Sequence, residues 1–384
     1  MIFKKWYYFG GCAEVWPAAH SHRHLFLELA LAGHISAEFR FIMLKIEENI
    51  SLKELTTFKI GGPARYFCLV KSEDDIRAAI AFASVKAVPF LILGGGSNVI
   101  INDAGFPGLV AKVELLGIEF IERDGGVVDV RAAAGENWDQ FVEKTVERGL
   151  TGLENLSGIP GTVGAAPVQN IGAYGREVKD CIQSVDAVEK KTGRSVKFLA
   201  SECVFRYRDS FFKTVAGSEF VITKVTFRLR KDGVPQLAYK DVEHYFKIRN
   251  VERPTLKRIR EAIIEIRSKK FPDLVSIGTA GSFFKNPIIS EDRFNELKKK
   301  FPELPMYPVG KGLVKVPLAW ILDNVCGFRG TRAGDAGVWE NQALVLVNYG
   351  NARRADILSL AAQISRTVKE KTNIEIEPEV QVVG

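Results

Sequence analysis

The residues Ser157 to Gly175, reading SGIPGTVGAAPVQNIGAYG, constrain this chain more than any other stretch. Five of the eighteen residues from Gly158 to Gly175 are glycine, with Ala165, Ala166 and Ala173 between them. Glycine loses more backbone entropy on folding than any other residue, so a cluster needs a return, such as positive φ or backbone laid against a ligand. Small side chains leave peptide N–H groups unscreened, and such groups cradle phosphate oxygens. Gln169 and Asn170 add paired donors and acceptors suited to the polar edge of a heterocycle. A turn-rich surface loop is the other reading of the same composition. The spacing is not that of the βαβ dinucleotide fingerprint, so a dinucleotide here needs another fold. A second glycine loop, Gly94-Gly95-Gly96-Ser97-Asn98, follows the apolar run Phe90-Leu91-Ile92-Leu93. Two such loops point to a long ligand with more than one polar segment.

At 384 residues the chain has room for two or three domains and a substantial core. Its 53 basic and 46 acidic residues leave a net charge of +7, which favours anionic partners. The basic residues are dispersed, with no strongly basic tail, so charge alone favours no nucleic-acid partner. Cys12, Cys68, Cys181, Cys203 and Cys326 are far apart and odd in number, a pattern of reduced, mostly buried thiols in a cytosol. Four of five histidines (His20, His22, His24, His34) crowd into the first 34 residues, leaving only His244 beyond. A histidine-based acid/base or metal centre in the body of the protein is therefore not expected.

Residues 1–42 are aromatic, histidine-bearing and aperiodic, and are read as an N-terminal extension outside the fold; a functional chain that begins at Met43 is the alternative reading. Leu25 to Leu31 is broken by Glu28 and is too short to cross a membrane, so neither a signal peptide nor a membrane span is expected. His20, His22 and His24 form an H-x-H-x-H run that fits metal binding on a strand or chance clustering in a tail. From Met43 the pattern is regular. Strands are predicted at 66–70, 90–93, 109–113, 127–131, 182–188, 195–199, 220–229 and 343–347. Ser72 with Asp75 opens a helix carrying Ile76, Ala79 and Ala83, and Asn137 caps another carrying Trp138, Phe141 and Val146. Arg253 to Phe271 reads as a basic amphipathic helix, Gly278 to Ser282 as a small-residue loop, and 352–370 as a helix. The fold class is α+β, divided into 43–252 and 253–384.

Several segments share the order of one family: IPGTVGAAPVQNIGAYG (159–175), ECVFRYRDSFFK (202–213), AGSFFKNP (280–287) and EPEV (377–380), together with GGGSN (94–98) and AGENW (134–138). From Leu44 to Gly384 the chain resembles the UDP-N-acetylenolpyruvoylglucosamine reductases of bacterial cell-wall synthesis. The resemblance implies a cytoplasmic, monomeric flavoenzyme: an FAD-binding domain of the vanillyl-alcohol-oxidase (PCMH) type followed by an α+β substrate-binding domain. It implies NADPH as co-substrate, UDP-N-acetylglucosamine enolpyruvate as substrate, and no metal. FAD would lie against Gly94, Gly95, Gly96, Ser97 and Asn98, and against Gly161, Thr162, Gly164, Ala165, Ala166, Gln169, Asn170 and Gly172. Only His244 is available in that domain, outside both loops, so non-covalent flavin is expected.

By the same resemblance Ser282 would deliver a proton to the substrate carbon, Arg208 would hold the substrate carboxylate, and Glu379 would hydrogen-bond the enol. Tyr174, Tyr239, Lys270, Asn286 and Gln342 would contact substrate or cofactor, Tyr239 marking the subgroup whose added loop closes over the substrate. Trp339 stands where relatives commonly carry histidine. Two competing readings are another flavin oxidoreductase of this fold and a non-catalytic UDP-sugar or nucleic-acid binder; the latter lacks any stacking platform or reader motif.

Overall fold

The computed structural model describes residues 44–384; the readings of residues 1–42, including the H-x-H-x-H run, fall outside the described residues. Two helix starts follow directly from local chemistry. The Ser72 hydroxyl accepts the Asp75 N–H (3.1 Å) and the Asp75 carboxylate accepts the Ser72 N–H (3.0 Å), which satisfies two orphan donors at the head of Glu73–Val85. Asn137 Oδ1 accepts the Gln140 N–H (3.1 Å) and opens Trp138–Glu147. That helix buries Trp138 and Phe141 against Phe227, with ring centroids 5.9 and 5.0 Å from it.

Glu73–Val85 contacts a four-stranded sheet ordered Glu47–Ser51, Pro63–Val70, Phe106–Val113, Phe90–Leu93, whose last three strands are parallel. A five-stranded antiparallel sheet follows, ordered Ser195–Leu199, Ile182–Glu189, Phe220–Arg230, Val127–Ala133, Ile118–Glu122. Helices Lys240–Lys247 and Leu256–Lys270 then lead into a C-terminal part containing helices Glu291–Lys300 and Arg354–Thr372. Its main sheet is ordered Gly278–Ser282, Val345–Asn348, Ala336–Val338, Arg332–Ala333. One core cluster there joins Phe283, Phe284, Leu346, Ile364 and Val380 to Phe58, Ile60 and Ile100 from the N-terminal part. The chain end closes the join: Gln381–Val383 pairs in parallel with Val99–Ile101, just beyond the first glycine loop.

Sequence reading and structure differ at Gly278 to Ser282. This is not a loop but a strand, antiparallel to Val345–Asn348, with a register shift between Thr279 and Ser282. Gly281 takes a left-handed φ of +76° with open space beside it, within the register shift, while Gly278 is small because another backbone runs close. A Cβ on Gly278 would lie 2.3 Å from the Phe58 carbonyl oxygen, so glycine here marks close approach and not a turn. Helices Lys240–Lys247 and Glu291–Lys300 were not predicted because each is short and rich in charged residues, burying only Val242 and Phe246 in the one and Phe294 and Leu297 in the other. The helix predicted from Arg253 begins at Leu256, after Thr255 Oγ1 accepts the Arg258 N–H (3.3 Å).

Candidate active site

Both glycine loops line one cleft of about 990 Å³ and touch each other there. A Cβ on Gly95 would sit 2.7 Å from the Gly161 Cα, so only glycine permits the two backbones to meet. No hydrogen bond among the described residues uses the main-chain N–H of Gly95, Gly96, Ser97, Asn98, Gly161 or Thr162. Such uncommitted donors, unscreened by side chains, form an anion cradle. Asn98 knits the loops to the chain end: its Nδ2 donates to Gln169 Oε1 and to the Glu379 carbonyl (3.1 Å).

Ser282, Arg208 and Glu379, from three distant stretches of sequence, also line this cleft. The Glu379 N–H donates to the carbonyl of Phe283 (2.7 Å), which sets that carboxylate beside the strand end carrying Ser282. No hydrogen bond among the described residues occupies the Ser282 hydroxyl. Arg208 lies in a tight turn in which Arg206 and Asp209 exchange main-chain bonds of 2.9 and 3.2 Å, and its own φ is +52°. The Asn170 side chain donates to the Arg206 carbonyl (2.9 Å) and Ser210 Oγ donates to the Val168 carbonyl (2.6 Å), docking this turn on the glycine segment. Arg208 Nη2 donates to the Gly172 carbonyl (2.5 Å). Its Nε lies 3.2 Å from Glu379 Oε1, yet the N–H is not aimed at that oxygen and is left buried and unpaired. Burial pushes the Glu379 carboxyl above its ordinary range, against the opposing pull of Arg208, Lys213 and Lys285.

Of the other residues singled out from sequence, Gly94, Gly96, Ser97, Gly164, Ala165, Ala166, Gln169, Tyr174, Tyr239, Lys270 and Gln342 line the cleft. Tyr174 and Tyr239 pack edge to face at 5.4 Å; Tyr174 is buried, which raises its phenol to about 12, whereas Tyr239 is 38% exposed. The Lys270 ammonium lies 5.9 Å from the Tyr174 ring and pairs with Asp241. Asn170 and Asn286 are not among the lining residues. Asn170 is fully buried and spends its side chain on Glu177, the Arg206 carbonyl and the Lys179 N–H. Asn286 accepts the Leu318 N–H (2.9 Å) and donates to the Tyr207 hydroxyl (3.4 Å). The sequence reading missed Lys190, Lys213 and Arg267, all of which line the cleft. Lys213 ends the motif already quoted at 202–213, while nothing local marked Arg267 or Lys190.

Arg267 belongs to a network that fixes the start of the glycine segment. Its Nε donates to the Gly158 carbonyl (3.0 Å), while the Gly158 N–H donates to Asp139 (2.5 Å). Asp139 also accepts two bonds from the Arg260 guanidinium, at 2.5 and 2.8 Å. Burial alone would raise the Asp139 pKa, but Arg260, the Gly158 N–H and Arg267 outweigh it and hold the carboxyl below its ordinary range. The stability it adds is thus present above the unfolded-state pKa and is lost as pH falls through the depressed folded value. Asp139→Asn is expected to cost about 2–3 kcal/mol at neutral pH, because it strands the buried Arg260 with only Glu143 at 3.4 Å. Denaturant unfolding at several pH values checks this: the gap from wild type should close as pH drops below about 4.

Residues 64–198 match the model of an FAD binding domain, and residues 273–383 match that of the C-terminal domain of UDP-N-acetylenolpyruvoylglucosamine reductase. The UDP-N-acetylenolpyruvoylglucosamine reductase of Chromobacterium violaceum is 43% identical over 337 residues, covering 88% of this chain and 98% of that protein. The Flavobacterium johnsoniae protein of the same name is 42% identical over 341 residues, covering 88% and 100%. In fold, the crystal structure of UDP-N-acetylenolpyruvylglucosamine reductase from Thermus caldophilus aligns at a TM-score of 0.62 and 24% identity, covering 89% of this chain and 100% of that one. The chain belongs to the UDP-N-acetylenolpyruvoylglucosamine reductase family and is an FAD-containing oxidoreductase of peptidoglycan precursor synthesis.

Proposed function

We propose that this chain reduces the enolpyruvyl double bond of UDP-N-acetylglucosamine enolpyruvate with NADPH as the hydride source and Ser282 as the proton donor. The reading is carried by one observation: an unengaged hydroxyl, a guanidinium with an unpaired buried N–H and a desolvated carboxyl share a cleft with the glycine cradle. The cleft fits FAD, since the uncommitted N–H groups at 95–98 and 161–162 suit a pyrophosphate. When bound, the flavin carries hydride from NADPH to the alkene. The remaining chemistry belongs to the side chains. As one alkene carbon receives hydride, its neighbour gains electron density conjugated with the substrate carboxylate. Arg208 faces that growing charge with fixed donors. Glu379 hydrogen-bonds the enol form, and Ser282 supplies the proton that completes addition of two hydrogens across the double bond. Tyr174, Tyr239, Lys270 and Gln342 hold the UDP-sugar or nicotinamide cofactor, while Asn286 and Asn170 act by supporting neighbouring groups.

The domain division proposed is 43–252 and 253–384, with helix Leu256–Lys270 packed against Trp138–Glu147 and Lys240–Lys247 of the first part; each family match falls within one of the two parts. A non-covalent flavin, a monomer and a cytoplasmic location complete the proposal. Among the described residues no helix is long and apolar enough to cross a membrane.

The test is NADPH oxidation followed with and without the enolpyruvyl substrate. Oxidation that depends on the substrate, with UDP-N-acetylmuramate as product, is the expected result. Equal rates would overturn the proposal in favour of an oxidase or diaphorase. Gly95→Ala is expected to weaken FAD binding at least tenfold, since its methyl group must displace the Gly161 backbone. Flavin fluorescence titration of the apoprotein measures it, and wild-type affinity would show that the loops do not need this contact.

A further inference from the structure

Lys213 closes the helical turn Phe211–Lys213 and lines the cleft beside Arg208 and Glu379. Its Nζ donates to the main-chain carbonyl of Arg208 (3.3 Å), the residue whose left-handed backbone aims the guanidinium inward. A non-glycine residue in that conformation persists only where its surroundings enforce it. We propose that Lys213 is a positioning residue for this site: its ammonium clamps the Arg208 turn from behind and sets a second positive charge against Glu379.

This rests on the reaction proposed above and adds a residue to it. Around the amine lie the Arg208 carbonyl and the Asp209 carboxylate from the turn, Lys285 from just beyond the Ser282 strand, and Glu377 and Glu379 from the chain end. Lys285 is already engaged with Glu377 at 3.2 Å, which leaves Arg208, 3.2 Å from Glu379, and Lys213, whose charge is shared with Asp209, as the two other cations acting on Glu379. Burial, aided by Lys285, pushes the Lys213 amine below its ordinary range, and Asp209, Glu379 and Glu377 oppose this. Each cation favours the ionised form of Glu379, so removing one moves its titration upward.

The experiment compares Lys213→Met, Lys213→Gln and Lys213→Arg with wild type, in the FAD-loaded enzyme, through the pH profile of kcat/KM for the enolpyruvyl substrate. The relevant limb is the one that Glu379→Gln abolishes. Met and Gln are expected to move this limb upward by about 0.5–1 pH unit, while Arg leaves it in place. Gln keeps a donor for the Arg208 carbonyl, so it should lose less kcat than Met. An unmoved limb in the Met and Gln variants, an Arg variant that behaves like Met, or loss of FAD from both Met and Gln would each overturn the proposal. If wild type itself fails to turn over this substrate, the reaction proposed above falls and takes this inference with it; a working wild type with an unmoved limb sinks only the role of Lys213.

Discussion

Replacing Ser282 with alanine is expected to slow reduction of the enolpyruvyl substrate by about 10²–10⁴-fold, the range for losing a positioned general acid. Bleaching of the flavin by NADPH should run at nearly the wild-type rate. The split follows from where Ser282 sits. It closes a strand whose main-chain partners do not depend on the side chain, and its hydroxyl holds no other group among the described residues. Alanine therefore orphans nothing and keeps the strand. Stopped-flow measurement of the two half-reactions checks it, because an interaction needed only in the second step shows only there. Equal damage to both halves would make Ser282 a support of the flavin site and not a proton donor.

Arg208 carries the second large effect. Arg208→Ala should lower substrate reduction by about 10²–10³-fold, as removal of a preorganised charge partner does. It should also raise the pH at which Glu379 ionises, since burial already pushes that carboxyl up and Arg208 is the first of the groups opposing it. Lysine should not rescue the loss: a point charge cannot serve the Gly172 carbonyl, Glu379 and a substrate carboxylate at once. Arg208→Gly separates chemistry from backbone. Glycine accepts a φ of +52° without the cost of about 1–2 kcal/mol borne by other residues, so this variant should fold at least as well as Arg208→Ala while remaining as slow. Thermal unfolding beside steady-state rates makes the comparison, and activity retained in Arg208→Gly would remove the guanidinium from the reaction.

Much of the site was legible because its chemistry leaves local marks. Glycines kept close at Gly95 and Gly161 announced backbone approach before any contact was known. The caps at Ser72 and Asn137 are short-range hydrogen bonds, complete within four residues, and were read correctly. Other marks misled for a physical reason. Gly278 to Ser282 looks like a turn because small residues serve turns and crowded strands alike, and only the Phe58 carbonyl beside Gly278 distinguishes the two. Asn170 and Asn286 carry the same amide as a ligand-binding residue, yet both are committed to the protein's own main chain. Lys213 and Arg267 were overlooked because a basic side chain near a helix end is ordinarily solvated, and nothing local records that a distant segment covers it.

By itself, then, the order of residues determined which stretches are glycine cradles, where helices begin, and which family pattern the chain carries, since each depends on neighbours along the backbone. What only the tertiary structure decided was convergence. Ser282, Arg208 and Glu379 meet because Gln381–Val383 returns to pair with Val99–Ile101 and because the turn at 206–209 docks on the glycine segment. Those contacts span tens to hundreds of residues, and burial, which lifts the Glu379 carboxyl and leaves the Arg208 Nε unpaired, arises only once they have formed.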